Sequence, residues 1–457
     1  MLKLNSITPN IPYKMLKTFS KGGVHPPENK FSADKPIEVL PLPKKVSIPI
    51  SQHIGAPASV IVAKGDKVKV GQIIAKSSGF VSANIHSSVS GTVESIDLVL
   101  DSSGYKRKAV TIVVEGDEWE PTIDRSPNLK REISIDAQEI VKKIAEAGIV
   151  GLGGATFPSH VKLSVPDGKK AEVLIINGVE CEPYLTSDHR LMLEKGHELM
   201  VGIQILMKAL GVTKAMIGIE NNKPDAIKHL TDISKEYQGV TVHALKVKYP
   251  QGGEKQLIKA LINREVPSGA LPIEVGAVVH NVGTAFAAYE AVQKNKPLIE
   301  RVVTVTGKNL PKPSNFLVRI GTPVAELIEA AGGLPEDTAK VVNGGPMMGK
   351  AVSDISIPVT KGTSGIIVFP AKESKRKTEG LCIRCAKCVS ACPMGLEPYL
   401  LVRMSQRMMF EEMEHEHVLD CMECGSCSFE CPANLPLLDY IRLGKTEVNK
   451  IVRSRKN

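Results

Sequence analysis

The chain has 457 residues, 42% hydrophobic and 23% charged, with 58 basic against 49 acidic side chains and a net charge of +9. That is the composition of an ordinary multidomain globular protein, and it excludes a disordered or low-complexity chain. The mild basic excess suits an acidic protein partner or an anionic membrane face. Nucleic acid is not indicated, because no basic stripe is interleaved with stacking aromatics.

No apolar run approaches the roughly 18 residues of a membrane-spanning helix. The opening MLKLNSITPNIPYKML places Asn5, Pro9 and Pro12 where a secretory signal needs its apolar segment, so cytoplasmic residence is expected. Residues 1–35 read as irregular, with Gly22-Gly23 and Pro26-Pro27 breaking any long element. From 36 to 116 short β-branched strands punctuated by glycine, such as KKVSIPI and KAVTIVVEGD, predict a small β-sandwich, and PTIDRSPNLKRE predicts a linker.

Residues 134–295 alternate. SIDAQEIVKKIAEAG has helical apolar spacing, AEVLIING and KAMIGIE read as buried strands, and HELMVGIQILMKALG reads as a helix ended by Gly211. This order predicts an open, mostly parallel α/β sheet. IERVVTVTG, NFLVRIG, TPVAELIEAAGG and AKVVNGGP then predict a hairpin, a helix and a returning strand, a small β-grasp-like unit. KESKRKTEG is a charged connector and EVNKIVRSRKN a short basic tail.

The fold class is therefore multidomain α/β. The expected units are an N-terminal segment with the small β-sandwich (1–125), an open α/β domain (126–296), a β-grasp-like unit (297–370) and a cysteine-rich domain with the basic tail (371–457).

Eight of the nine cysteines crowd into positions 382–431. Cys382, Cys385, Cys388 and Cys392 followed by Pro393 spell C-x2-C-x2-C-x3-C-P, and Cys421, Cys424, Cys427 and Cys431 with Pro432 repeat it. This is the run of bacterial two-cluster ferredoxins, in which the fourth cysteine ligates the other [4Fe–4S] cube. The expected sets are Cys382, Cys385, Cys388 with Cys431, and Cys421, Cys424, Cys427 with Cys392. A pair of structural zinc sites is the alternative, but it leaves the third cysteine and the trailing Cys-Pro of each run without a place. Between the motifs Leu400, Met404 and Met408 recur at helical spacing and are expected in the core. His415 and His417 lie among glutamates and are expected on a solvated face. Cys181 stands alone and reads as a small buried residue.

GIVGLGGATFPSH at 148–160 places Gly151, Gly153 and Gly154 before an aromatic and a proline. The dinucleotide fingerprint would need a glycine at Thr156, so the run is not one. Residues 151–162, GLGGATFPSHVK, and 174–183, LIINGVECEP, resemble the GxGGxGFPxxxK and NADExEP patterns of the flavin-carrying, NADH-oxidising subunit of respiratory complex I. The resemblance implies that Gly151, Gly153, Gly154 and Lys162 hold FMN with Asn177 and Glu180, and that Phe157 and Glu182 face the nicotinamide nucleotide. QGGEKQL is similar to that family's GEExAL and would place Glu254 near NADH. VVHNVGTA is similar to VNNVET and would place Asn281 and Thr284 near the flavin phosphate. Val179, Thr156 and His280 depart from the family's aspartate, glycine and asparagine.

Over its whole length the chain resembles the C subunits of the Rnf electron-transport complexes, with GGVHPPENK at 22–30 and QHIGAPA at 52–58 as further points of likeness. Residues 60–93 resemble a lipoyl-type barrel-sandwich, but the turn SSGFVSANIHSS has no lysine to carry a swinging group, so a packing module is expected. Gly307, Gly321, Gly332-Gly333 and GGPMMG at 344–349 resemble the soluble-ligand-binding β-grasp (SLBB) unit, expected here to be an interaction surface.

The resemblance implies a peripheral protein on the cytoplasmic side of a membrane complex that exchanges electrons between ferredoxin and NAD, coupled to ion movement. FMN, NAD(H) and two [4Fe–4S] clusters are the implied cofactors. The other Rnf proteins, including a ferredoxin-like iron–sulfur subunit, are the implied partners. Two rival readings remain: a soluble corrinoid-reducing NADH flavoprotein with these modules in another order, and a non-catalytic iron–sulfur relay scaffold, which Val179 and His280 would suit.

Overall fold

The computed structural model describes residues 16–455; the reading of residues 1–15 and the last two residues of the tail lie outside them. At its centre stands a four-stranded parallel sheet in the order Val240–Leu245, Ala215–Glu220, Val173–Asn177, Ala277–Asn281. The sheet is covered on both faces, which is why its strands read as unbroken apolar runs. On one face Gly196–Leu210 and Val282–Lys294 cross closely. A Cβ on Gly202 would stand 1.9 Å from the Ala285 carbonyl oxygen, so only glycine permits that approach. Helix Glu254–Ile262 covers the other face through Leu257, Ile258 and Leu261. The chain leaves Val173–Asn177 toward one edge and returns on its opposite side with Ala277–Asn281. A crevice therefore opens at the carboxyl ends of those two strands, the place where open α/β sheets bind ligands.

The barrel-sandwich consists of a four-stranded antiparallel sheet, Lys45–Pro49, Lys106–Val114, Gly91–Leu100, Lys67–Val68, and a three-stranded one, Ser59–Val60, Ile73–Lys76, Ile85–His86. Its core residues Val46, Ile48, Ile74 and Ile112 run without a break into Ile140, Ile144 and Leu174 of the α/β unit. The lysine-free turn is fastened to the short helix Ser159–Leu163: His160 Nε2 lies 2.9 Å from the Phe80 carbonyl oxygen, and the two rings meet edge to face. The module packs against its neighbour, as its turn sequence predicts.

The β-grasp unit is larger than its sequence suggests. Glu300–Thr306 and Ser314–Arg319 form the expected hairpin, followed by helix Val324–Ala330 and strand Thr338–Asn343. Strand Gly365–Pro370 inserts between Glu300–Thr306 and Thr338–Asn343, and Ile37–Val39 from the N-terminal segment adds in parallel to Ser314–Arg319. The finished sheet has six strands.

The cysteine-rich domain is helical, with Lys387–Ala391, Pro398–Gln406, Phe410–His415, Ser426–Glu430 and the 18-residue Leu437–Ser454. Two expectations need correction. Most of the basic tail is the end of that last helix, because Leu437, Ile441, Gly444 and Val448 are buried at helical intervals. Met408 is not core: Pro398–Gln406 stops short of it, its φ is +56°, and it is 76% exposed. Leu401, Val402 and Met413 fill the core in its place. His415 and His417 are exposed, as expected.

The N-terminal segment reads as irregular but is closely fitted. Gly23 donates to the Ala391 carbonyl at 2.9 Å, Val24 exchanges backbone hydrogen bonds with Tyr249, and Lys30 Nζ donates to the carbonyls of Glu180, Glu182 and Leu185 at 2.9, 2.9 and 2.6 Å. Residues 22–39 thereby tie the cysteine domain, the α/β sheet and the β-grasp sheet together. No helix among the described residues is long and apolar enough to cross a membrane.

Candidate functional site

The glycine run is a tight turn pinned over the sheet's crevice. Gly151 N–H meets the Phe157 carbonyl at 2.9 Å, and Leu152 N–H meets the Thr284 hydroxyl at 2.9 Å. Thr284 lies in the first turn of Val282–Lys294, whose N-cap is Asn281. A Cβ on Gly153 would be 3.5 Å from that of Asn281, and Gly154, at φ +105°, has open space where a side chain would stand. The loop thus presents bare backbone to the crevice at a helix N-terminus, where an anion is favoured.

Thr156 occupies the position of the family's glycine and keeps a left-handed φ of +52°. A β-branched residue there costs about 1–2 kcal/mol, against about 0.5–1 kcal/mol of extra chain entropy for glycine. Thr156→Gly should therefore stabilise the chain by up to about 1 kcal/mol, seen as a raised thermal midpoint.

Lys162 Nζ lies 2.6 Å from Glu254 Oε1 and 3.0 Å from the Val279 carbonyl. Asn177 Nδ2 donates to the Gly252 carbonyl at 2.8 Å, linking the sheet end to the QGGEKQL turn. Asn281 Nδ2 donates to Asp188 Oδ2 at 2.6 Å. Burial, with the neighbouring Glu180 charge, pushes the Asp188 carboxyl up to about 7. Glu180 caps helix Ser187–Glu194, accepting from the N–H groups of Asp188 and His189 at 2.8 and 3.1 Å. His280 is buried, its Nε2 has no partner, and burial together with the Lys162 charge pushes its imidazole down to about 3. An orphaned neutral imidazole beside a lysine, and open space over Gly154, fit a polar cofactor seated here.

The sequence-derived residues thus divide. Gly151, Gly153, Gly154, Lys162, Asn177, Glu254, Asn281 and Thr284 converge on the crevice, and Glu180 stands beside it, capping the helix whose Asp188 holds Asn281. Phe157 contributes its carbonyl to the loop. Glu182 points elsewhere: its carboxylate accepts from the N–H groups of Met347 and Met348 at 3.1 and 2.9 Å. Val179 is fully buried in the core beneath Glu254–Ile262, so a charged residue has no place there. Sequence reasoning missed Lys30, Asp188, Tyr249 and Arg301. Arg301 is buried and reaches the carbonyls of Lys361 and Leu152, bracing the glycine loop from the β-grasp unit. Their partners lie far away along the chain, so no local pattern marks them.

The two cysteine loops share one backbone conformation. Arg384 and Ala386 in the first have φ +55° and +58°, and Glu423 and Gly425 at the matching positions of the second have φ +59° and +78°. Repeated left-handed residues turn successive N–H groups inward toward the sulfurs, an anion-binding nest. Cys392, Cys421, Cys424 and Cys427 line one cavity with Pro393, Met394, Leu396 and Ile441. Burial pushes the thiols of Cys421 and Cys427 up to about 11 and about 12, with Cys392 adding in each case. Cys388 is raised by burial and, further, by Cys431. Cys392 thus shares a cavity with the second motif's triplet, and Cys431 is near enough to Cys388 to raise its thiol. Among the described residues no three His, Cys, Asp or Glu side chains close on a single ion. Four sulfurs around one mostly apolar cavity fit a cube. Cys382 and Cys385 are exposed, whereas Cys424 and Cys427 are buried.

Four family models match in chain order: the RnfC barrel sandwich hybrid domain (17–118), the Nuo51 FMN-binding domain (144–290), the SLBB domain (302–351) and a 4Fe-4S dicluster domain (374–432). The chain is 50% identical over 438 residues to the C subunit of the proton-translocating ferredoxin:NAD(+) oxidoreductase complex of Clostridium ljungdahlii, covering 95% of this chain and 94% of that one. It is 45% identical to the Na(+)-translocating counterpart of Acetobacterium woodii, covering 94% and 96%. To the C subunit of the ion-translocating oxidoreductase complex of Rhodobacter capsulatus it is 42% identical, covering 95% and 84%.

Proposed function

Since the chain belongs to the RnfC family, the C subunits of the ion-translocating ferredoxin:NAD(+) oxidoreductase (Rnf) complexes, we propose that it is the NAD-side module, joining a nicotinamide nucleotide to a single-electron path that leaves through its exposed cluster. The observation that carries this is the spatial order of the sites. The Gly252 carbonyl held by Asn177 and the Tyr249 hydroxyl held 2.9 Å from the Cys424 carbonyl oxygen belong to one short turn, which links the glycine cradle to the buried cysteine set. Beyond it the set with Cys382 and Cys385 opens to solvent.

FMN, when bound, exchanges an electron pair as hydride and returns electrons singly to [4Fe–4S] cubes. The chain's residues supply the rest. The loop 151–154 and the N-terminus of Val282–Lys294 receive the flavin and its phosphate, and Lys162 offers that phosphate a point charge. Burial of Cys424 and Cys427 keeps water from the inner cluster. The exposed loop carries Leu381 and Ile383, 90% and 68% exposed, beside Arg384 and Lys387. An apolar centre with basic flanks suits an acidic iron–sulfur partner. Placement on the cytoplasmic face of the membrane, through partners, belongs to the same proposal.

The test is anaerobic reconstitution. The chain with both clusters built should bind FMN, and added NADH should bleach the cluster absorbance. If FMN does not bind and NADH leaves the clusters oxidised, the relay-scaffold reading replaces this one. Recovery of the native protein wholly apart from membranes and from other Rnf proteins would favour the corrinoid-reducing flavoprotein.

A further inference from the structure

The loop 344–349, GGPMMG, lies at the junction of three domains. On the α/β side it closes on Glu182, whose Oε2 accepts from Met347 N–H and Oε1 from Met348 N–H. A Cβ on Gly345 would stand 2.1 Å from Glu182 Oε2, so the loop can reach the carboxylate only because that position is glycine. On the other side the Met347 carbonyl oxygen lies 3.0 Å from where a Cβ on Gly425 would be, inside the second cysteine loop. Arg442, paired with Glu423 of the same loop, reaches the Met348 carbonyl at 3.5 Å.

Tyr249 completes the junction. Its hydroxyl donates to the Cys424 carbonyl at 2.9 Å and lies 3.4 Å from Glu182 Oε1. Val24, Tyr249, Ala391 and Cys424 are buried together, with Met347 and Met422 packed on them. Glu182 is half-buried, and with both oxygens already engaged it has little left to offer a nucleotide.

We propose that Glu182 and Tyr249 are positioning residues of the buried cluster: Glu182 locks the β-grasp loop 344–349 against the Cys421–Cys427 loop, and Tyr249 fixes the Cys424 carbonyl. This rests on the reading of the cysteines as cluster ligands, and it reassigns Glu182 away from the nicotinamide nucleotide. It also gives the β-grasp unit a use inside the molecule, as a wedge between the flavin and cluster domains. Hydrogen bonding and solvent access near the sulfurs tune a cluster's potential, so disturbing either residue should be read out at one cluster only.

The experiment uses Glu182→Gln and Tyr249→Phe in the full chain with cofactors reconstituted. Mediated redox titrations followed by electron paramagnetic resonance should show the buried cluster's midpoint moved in both variants and the exposed cluster's unchanged. Glutamine keeps one acceptor oxygen, so in Glu182→Gln one of the two amides, Met347 or Met348, should exchange with deuterated water about tenfold faster, the equivalent of one lost hydrogen bond. The KM for NADH should stay within about twofold of the parent. A KM raised about tenfold or more, with both midpoints and the exchange rates unmoved, would restore Glu182 to the nucleotide and overturn the proposal. Should Glu182→Gln fail to fold, Tyr249→Phe decides: an unmoved buried-cluster midpoint sinks the idea. The titration needs no NADH, so a parent protein that cannot oxidise NADH would refute the functional reading while the positioning claim is still decided.

Discussion

Replacing Cys392 by alanine is expected to remove the buried cluster and spare the exposed one, although Cys392 is spelled in the first motif. Cys431→Ala should do the reverse. Cys392 lines the cavity of Cys421, Cys424 and Cys427, while Cys431 acts on Cys388. Either variant should lose half of its iron, but the survivors should differ. Cys382 and Cys385 are exposed, so the cluster left in Cys392→Ala should be destroyed quickly by a soluble chelator or oxidant. The one left in Cys431→Ala lies behind Leu396, Met422 and Leu438 and should resist. Protection in Cys392→Ala and rapid loss in Cys431→Ala would mean that each motif holds its own cube. Because the buried set stands next to the cradle, Cys392→Ala should also end reduction of the remaining cluster by NADH.

The second large effect concerns Lys162. Its ammonium has three donors, and Glu254 and the Val279 carbonyl take two of them, leaving one for a phosphate at the cradle. A hydrogen bond to a charged group contributes about 1.5–3 kcal/mol, so Lys162→Ala should weaken FMN binding roughly ten- to hundredfold. Glu254→Gln should act in the opposite sense, tightening FMN a few-fold, because a carboxylate 2.6 Å from the ammonium competes with the phosphate. Quenching of flavin fluorescence on titration measures both. A Lys162→Ala chain that binds FMN as tightly as the parent would remove the lysine from the phosphate site.

Much of this is legible in the amino acids alone. Val173–Asn177 and Ala215–Glu220 announce themselves as apolar runs, and the cysteine spacing names its own chemistry. The glycine loop is legible only through its likeness to the complex I flavin subunit, because three glycines in four residues on their own read as a tight turn, and the helix start that faces them lies about 130 residues further on. Other features are hidden for identifiable reasons. Gly365–Pro370 is short and far from its hairpin, and only the completed sheet shows it to be central. The stretch from Glu447 reads as a basic tail because Val448, Ile451 and Val452 are spread among lysines and arginines, although it is the end of Leu437–Ser454. Glu182 matches the motif letter for letter, yet its direction is set by Gly345 and two amides more than 160 residues away, which no local pattern can carry.

The segment 22–39 has an implication for how the molecule comes to be assembled. It leaves the ribosome ahead of its partners, for the surfaces that hold it are built from Tyr249, from Ser314–Arg319 and, last, from Ala391. Contacts so distant in sequence must wait for chain that does not yet exist. These residues therefore stay unmoored through most of synthesis, and the junction between flavin and iron closes only when Gly23 meets Ala391. A version begun at residue 40 would keep every ligand named above and lose the bolt that holds them in line.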